Sequence, residues 1–195
     1  MEGAQQSLQN QQRVLAAIVV TDAVGFSAQM SADEERALAT INRDLKQIAG
    51  LCKVFNGQVL KSTGDGLLMC FFSAAQAVAC GLNIQKKLRS DSKRDSFDHR
   101  IGIHLGDVYI NNSDVMGNGV NIAARLESFA APGEICVSQV VYDVVKSRLD
   151  LDATFLGPLN LKNIQEQVPA YQLRPVVELD ICDAEMTRPF FAEGI

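Results

Sequence analysis

Residues 14–27 read VLAAIVVTDAVGFS. Val14 to Thr21 is a short apolar run rich in β-branched side chains, which predicts a buried strand. The run closes on Asp22, and Gly25 follows. A carboxylate at the end of an apolar strand gains nothing from a core, so Asp22 calls for a role at the sheet edge. The segment from Asp22 to Ser27 leads into a helix, and backbone N–H groups at such a turn can cradle phosphate.

Working outward, Ser31 to Phe55 has the strongest helical pattern in the chain. Ser31 and Glu34 match a capping box. Leu38, Ile41, Leu45, Ile48, Cys52 and Phe55 recur at helical spacing, and Gly57 follows as a stop signal. Gln58 to Ser62 and Leu67 to Phe72 flank the turn Thr63-Gly64-Asp65-Gly66, which predicts a hairpin. Ser73 to Leu88 is a second helix. Arg100 to Ile110 is a strand, with a turn at Asn111-Asn112. Gly119 to Ala130 is a helix that stops at Pro132-Gly133. Ile135 to Val137 is a short strand, Ser138 to Lys146 a short helix, and strands near Ala153–Leu156 and Val168–Leu173 close the domain. Strands alternate with helices, but hairpins intervene. That predicts an α+β fold, a mixed sheet with helices packed on one face.

A chain of 195 residues with 47% apolar and 21% charged residues accommodates one domain with a real core. That composition excludes disordered and low-complexity classes. Residues 1–12 read as a flexible leader, 13–175 as the domain and 176–195 as an acidic tail or linker. The net charge of −5 argues against a nucleic-acid binder, which needs a basic face. It leaves room for a small phosphorylated ligand held locally, through metal ions. Two histidines, His99 and His104, do not favour a zinc site or a Ser-His-Asp triad. Five cysteines without a Cys-x-x-Cys motif predict buried thiols in a reducing cytosol. No apolar run approaches the ~20 residues that span a bilayer, so no membrane contact is expected and the chain reads as cytoplasmic.

Asp22 and Asp65 both stand at strand ends beside glycines. If their strands pair, the two carboxylates meet, and close carboxylates repel unless a cation lies between them. Hard divalent cations take such oxygens, with substrate phosphates completing the shell. Asp65 also has a plainer reading, as the residue an Asp-Gly turn prefers.

Four segments, VVTDAVGFS, KSTGDGLLMCF, RIGIHLGDV and SDVMGNGVNIAARLES, occur in this order. Together they resemble the catalytic domain of class III adenylate and guanylate cyclases, from about Arg13 to Leu173, with bacterial adenylate cyclases the nearest in detail. The resemblance implies a ferredoxin-like core and a homodimer whose active sites are shared between chains. It also implies cyclisation of a nucleoside triphosphate, with pyrophosphate leaving. On this resemblance Asp22 and Asp65 match the metal-binding aspartates, holding two Mg²⁺ or Mn²⁺ per site. Val24, Gly25 and Phe26 match the phosphate turn, and Arg100 and Lys162 match phosphate-binding cations. Asn121 and Arg125 match the ribose-orienting asparagine and the arginine that stabilises charge at the α-phosphate.

Lys61 and Asp114 match the two positions that read the base. A lysine and an aspartate complement the N1 acceptor and 6-amino donor of adenine, and oppose the polarity of guanine. ATP is therefore expected over GTP, while cytosine shows the same polarity as adenine and keeps CTP open. A non-catalytic nucleotide-binding dimerisation module is the alternative of another class. Taken singly, Arg125 reads as a surface arginine paired with Glu127 or Glu134, Lys162 as surface charge, and His104 as a packed side chain without catalytic duty. A cyclase condensing two GTP would carry a Gly-Gly-acid-acid-Phe turn, which the hairpin here lacks.

Overall fold

The computed structural model describes residues 12–91, 96–110 and 115–175. The leader up to residue 11, the tail, the Asn111-Asn112 turn, Asp114 and Cys182 lie outside them. Among these described residues, eight strands form one sheet: β1 (Gln12–Ala23), β2 (Gln58–Ser62), β3 (Leu67–Phe71), β4 (His99–Ile110), β5 (Val115–Met116), β6 (Ile135–Ser138), β7 (Asp152–Leu159) and β8 (Val168–Arg174). Five helices accompany them within the described residues: α1 (Phe26–Ala32), α2 (Glu34–Val54), α3 (Ala74–Asp91), α4 (Asn118–Glu127) and α5 (Gln139–Val145). The order is β2-β3-β1-β4-β6-β8-β7, with β5 added beside β4. The β4–β6 pair is parallel and the other pairs are antiparallel. This is the expected α+β mixed sheet.

The helices do not all share one face. On one side Ala17, Val19, Met69, Ile101 and Ile103 pack with residues of α2, α3 and α5. On the other, Ala16, Ile18, Val20, Val108 and Ala123 form a second core under α4. Covering on both faces explains the unbroken apolar run of β1, because a strand sandwiched between layers has no polar side to show. The approach of α4 to the sheet depends on Gly102. A Cβ there would lie 2.2 Å from the Ala123 carbonyl oxygen and 2.3 Å from the Glu127 nitrogen.

The long helix is two helices. Ser31 lies in α1, where its Oγ donates to the Ser27 carbonyl at 3.0 Å. The cap of α2 is Asp33, which accepts from the Arg36 N–H at 3.1 Å. Ser31 and Glu34 therefore form no capping box, because the chain breaks at Asp33, whose extended backbone ends α1 and starts α2. Leu38 is 40% exposed, while Asp44 on the inward stripe is fully buried. Among the described residues, Cys52, Cys70, Cys80 and Cys136 are buried free thiols, and no helix is long and apolar enough to cross a membrane.

Candidate active site

The site forms where β1 ends, and the strand period sets its membership. Side chains 16, 18 and 20 of β1 face α4, and Asp22 continues that series. Arg100 is the residue of β4 directly opposite Asp22. The β2–β3 turn closes with the Thr63 N–H on the Gly66 carbonyl at 3.0 Å. It docks on β1 through the Leu67 N–H to Thr21 Oγ1 at 2.9 Å. Gly66 permits this approach, since a Cβ there would fall 1.7 Å from the Thr21 carbonyl oxygen.

The docking brings the Asp65 carboxyl close enough to Asp22 to act on its ionisation. Burial pushes the Asp22 carboxyl up from its ordinary range. The neighbouring Asp65 carboxyl pushes it further, against the pull of Arg100 and His99. Asp65 is thus more than a turn residue. Two hard oxygen donors set this close together fit a divalent cation. Among the described residues no cluster of three or more His, Cys, Asp or Glu forms a metal cage. Two carboxylates match a cation that keeps phosphate oxygens among its ligands.

The next turn is anchored from below. The Val24 N–H donates to the Asp98 carbonyl at 2.8 Å, Gly25 adopts φ 79°, and the Gln29 N–H returns to the Gly25 carbonyl at 3.1 Å. The Phe26 ring meets Phe97 edge-on, with centroids 5.8 Å apart.

Sequence reading missed Glu127. It lies at the end of α4, above Gly102, and is 9% exposed. Burial pushes its carboxyl up to about 7; the Asp22 charge adds to this and Arg100 opposes it. Glu127 Oε1 and Arg100 Nε are both buried without a hydrogen-bond partner among the described residues. Glu127 therefore does not serve as a solvated partner for Arg125. Nor does Glu134, which accepts from Arg174 Nε at 3.0 Å and Gln172 Nε2 at 2.7 Å. The signal was available: Glu127 is two residues beyond Arg125, about 200° around the helix. If Arg125 faces outward, Glu127 faces the sheet.

Asn121 and Arg125 are exposed on α4, one turn apart. No hydrogen bond or ion pair joins them to Asp22, Asp65 or Arg100 among the described residues. Lys162 is exposed in the loop after β7, whose Leu161 and Ile164 pack with Ile122 and Leu126 of α4. Lys61 is exposed on the edge strand β2. One chain therefore gathers Asp22, Asp65, Arg100 and the 24–26 turn at one corner and leaves Asn121 and Arg125 outside it. A cleft of about 630 Å³ lies away from the aspartates, between α4, the start of α5 and the Lys162 loop. His104 borders it, its Nδ1 2.9 Å from Ser138 Oγ.

The family model described as the adenylate and guanylate cyclase catalytic domain matches residues 8–175. A Rhizobium meliloti protein named "Putative adenylate cyclase 3" is 36% identical over 168 residues, covering 84% of this chain and 29% of that protein. Serine/threonine-protein kinase pkn2 of Myxococcus xanthus is 26% identical over 167 residues, covering 83% of this chain and 20% of that protein. The chain thus spans less than a third of either relative. The crystal structure of an adenylate/guanylate cyclase/hydrolase from Silicibacter pomeroyi superposes with a TM-score of 0.80 at 34% identity, covering 86% of this chain and 100% of that one. The adenylyl cyclase CyaB from P. aeruginosa shares the fold, with a TM-score of 0.76 at 23% identity, over 84% and 95% of the two chains. The chain has the class III cyclase fold. It belongs to the adenylate and guanylate cyclase catalytic domain family.

Proposed function

We propose that this chain is an adenylate cyclase that converts ATP to 3′,5′-cyclic AMP and pyrophosphate at a site shared between two copies. The observation that carries the reading is the closeness of Asp65 to Asp22, 43 positions apart in sequence and felt in the Asp22 ionisation, beside Arg100 in a chain of this family. In the reaction the ribose 3′-oxygen loses its proton and bonds to the α-phosphorus. The bond from that phosphorus to the bridging oxygen breaks, and pyrophosphate leaves with the electron pair.

Asp22 and Asp65 are the residues that would hold two Mg²⁺ or Mn²⁺. Bound there, the ions would acidify the 3′-hydroxyl and neutralise phosphate charge. Arg100 and the backbone of Val24–Phe26 would grip the phosphates from the same chain. Asn121, Arg125 and Lys162 would come from a second copy, with Asn121 orienting the ribose and Arg125 meeting charge at the α-phosphate. Two observations support the shared arrangement. Asn121 and Arg125 point outward, and one chain does not join them to the aspartates. Because one sequence carries both halves, a two-fold pair would have two equivalent sites. Lys61 and Asp114 would select adenine by hydrogen-bond polarity.

Complementation tests the shared site. Asp22→Ala and Arg125→Ala should each be inactive, and their mixture should recover part of the activity, because one of the two mixed sites is intact. A dead mixture of folded, dimeric variants defeats the shared site. Mass spectrometry with ATP, GTP, CTP and UTP competing in the presence of Mn²⁺ identifies the product. Cyclic CMP as the main product would overturn the base assignment. No cyclic product from any nucleotide would favour a binding module.

A further inference from the structure

Asp44 stands on the buried stripe of α2 between Ile41 and Ile48 and is fully buried. A carboxylate there is costly unless donors surround it. Oδ2 accepts the Phe97 N–H at 2.9 Å, and Oδ1 accepts the Ser96 hydroxyl at 2.9 Å. His99 Nε2 lies 3.7 Å from Oδ2, and Arg43 Nε lies 3.7 Å from Oδ1. His99 is itself fully buried. Its carbonyl accepts from Gln85 Nε2 of α3 at 2.8 Å and from the Gly133 N–H at 3.0 Å. The entry to β4 is thus pinned from α2, from α3 and from the loop before β6.

That pinned segment supports the phosphate end of the candidate site at three points. Asp98 supplies the carbonyl that fixes Val24. Phe97 backs Phe26, within a small core that also holds Ala23 and Ile41. Arg100 follows His99 directly and stands opposite Asp22. The first two of these contacts involve neither Asp22 nor Asp65.

We propose that Asp44, with His99 beside it, is a positioning residue: it fixes residues 96–100, and through them the 24–26 turn and Arg100, in the geometry that receives a triphosphate. The proposal rests on the cyclase reading for its ligand. A buried carboxylate suits the task because hydrogen bonds to a charged acceptor are shorter and stronger than neutral ones. Its two oxygens also hold a backbone and a side-chain donor of one segment together.

The test is a graded series, Ser96→Ala, Asp44→Asn and Asp44→Ala, in the full chain. Amide hydrogen exchange without nucleotide is the first readout. Binding of inorganic tripolyphosphate with Mn²⁺, compared with binding of adenosine, is the second. Exchange should rise in peptides covering Val24–Phe26 and Phe97–Ile101 in the order of the series, while β3 and β6 keep their protection. Tripolyphosphate affinity should fall about tenfold in Asp44→Ala, with adenosine affinity held within about twofold, since displacement by even 1 Å is costly at such a site. A merely structural role would raise exchange everywhere and weaken both ligands alike, and that result overturns the proposal. So does native exchange at Val24–Phe26 in a folded Asp44→Ala. If Asp44→Ala does not fold, Asp44→Asn and Ser96→Ala decide by the same readouts. A parent chain that binds no tripolyphosphate defeats the cyclase reading, and the phosphate part of the proposal with it. The exchange pattern then still decides whether Asp44 anchors the turn.

Discussion

Alanine at Gly102 and alanine at Gly50 are the same chemical change with opposite expected signs. At Gly102 the added carbon would lie 2.2 Å from the Ala123 carbonyl oxygen and 2.3 Å from the Glu127 nitrogen. Both are backbone atoms of α4, so no rotamer change relieves the clash, and the helix must retreat by about 1 Å to restore an ordinary contact. Overpacking of this kind costs about 1–3 kcal/mol. For a domain of this size that lowers Tm by roughly 2–12 °C. The retreat carries Glu127, Asn121 and Arg125 with it. On the cyclase reading, a shift of about 1 Å at groups that orient a reaction lowers turnover by about 100-fold. At Gly50, exposed in α2, an added carbon meets nothing within 4 Å. Removing that glycine's backbone freedom should stabilise the chain by about 0.5–1 kcal/mol. Calorimetric melting of both variants, with cyclic-nucleotide production measured well below Tm, is the assay. A Gly102→Ala variant as stable as the parent would refute the packing argument. So would a Gly50→Ala variant that loses as much as Gly102→Ala does.

Two further outcomes follow from local chemistry. Burial lowers the His104 imidazole from 6.5 to about 4, so the fold holds it neutral where the unfolded chain would be protonated. Stability from this group is therefore complete above about pH 6.5 and is lost as pH falls toward 4, by roughly 3 kcal/mol. Urea melts across that window should show His104→Gln with a flatter acid limb than the parent, and an identical slope would contradict the assignment. At the start of α2, Asp33→Ala should cost about 1 kcal/mol, because it frees the Arg36 N–H. Ser31→Ala should cost no more than about 0.5 kcal/mol, since its hydroxyl makes only a turn within α1. The reverse order in urea titrations would restore the capping box.

Much of the architecture was legible because its signals are local. Hydrophobic period and turn residues marked β1, the β2–β3 hairpin and α4 within a few positions of their observed ends. Asp22 could be singled out because it closes an apolar strand, and Asp65 because it stands beside glycines in a turn that could meet that strand end, although it also had a plain reading as a turn residue. What local pattern could not show was which layer covers which face. The one-sided arrangement of helices failed although the unbroken run of β1 already fitted burial on both faces, because which helices cover each face is set by long-range packing. The capping box failed because Ser31 and Asp33 both match a cap, and only the extended backbone at Asp33 separates them. Helical phase against Arg125 could have turned Glu127 toward the sheet, but its burial beside Asp22 and Arg100 rests on the long-range approach of α4 to β4 that Gly102 permits. Asp44 escaped notice for the same reason, since its donors come from residues 96 and 97, about 50 positions away.

The ten residues of α4 have two audiences. Their inner side ends at Glu127, against the charges of Asp22 and Arg100, while their outer side displays Asn121 and Arg125. In a two-fold pair of the proposed kind, each such helix would border one pocket and furnish the other. The pockets would then be geared together, and a nudge to either helix would be felt in both without any relay through the sheet.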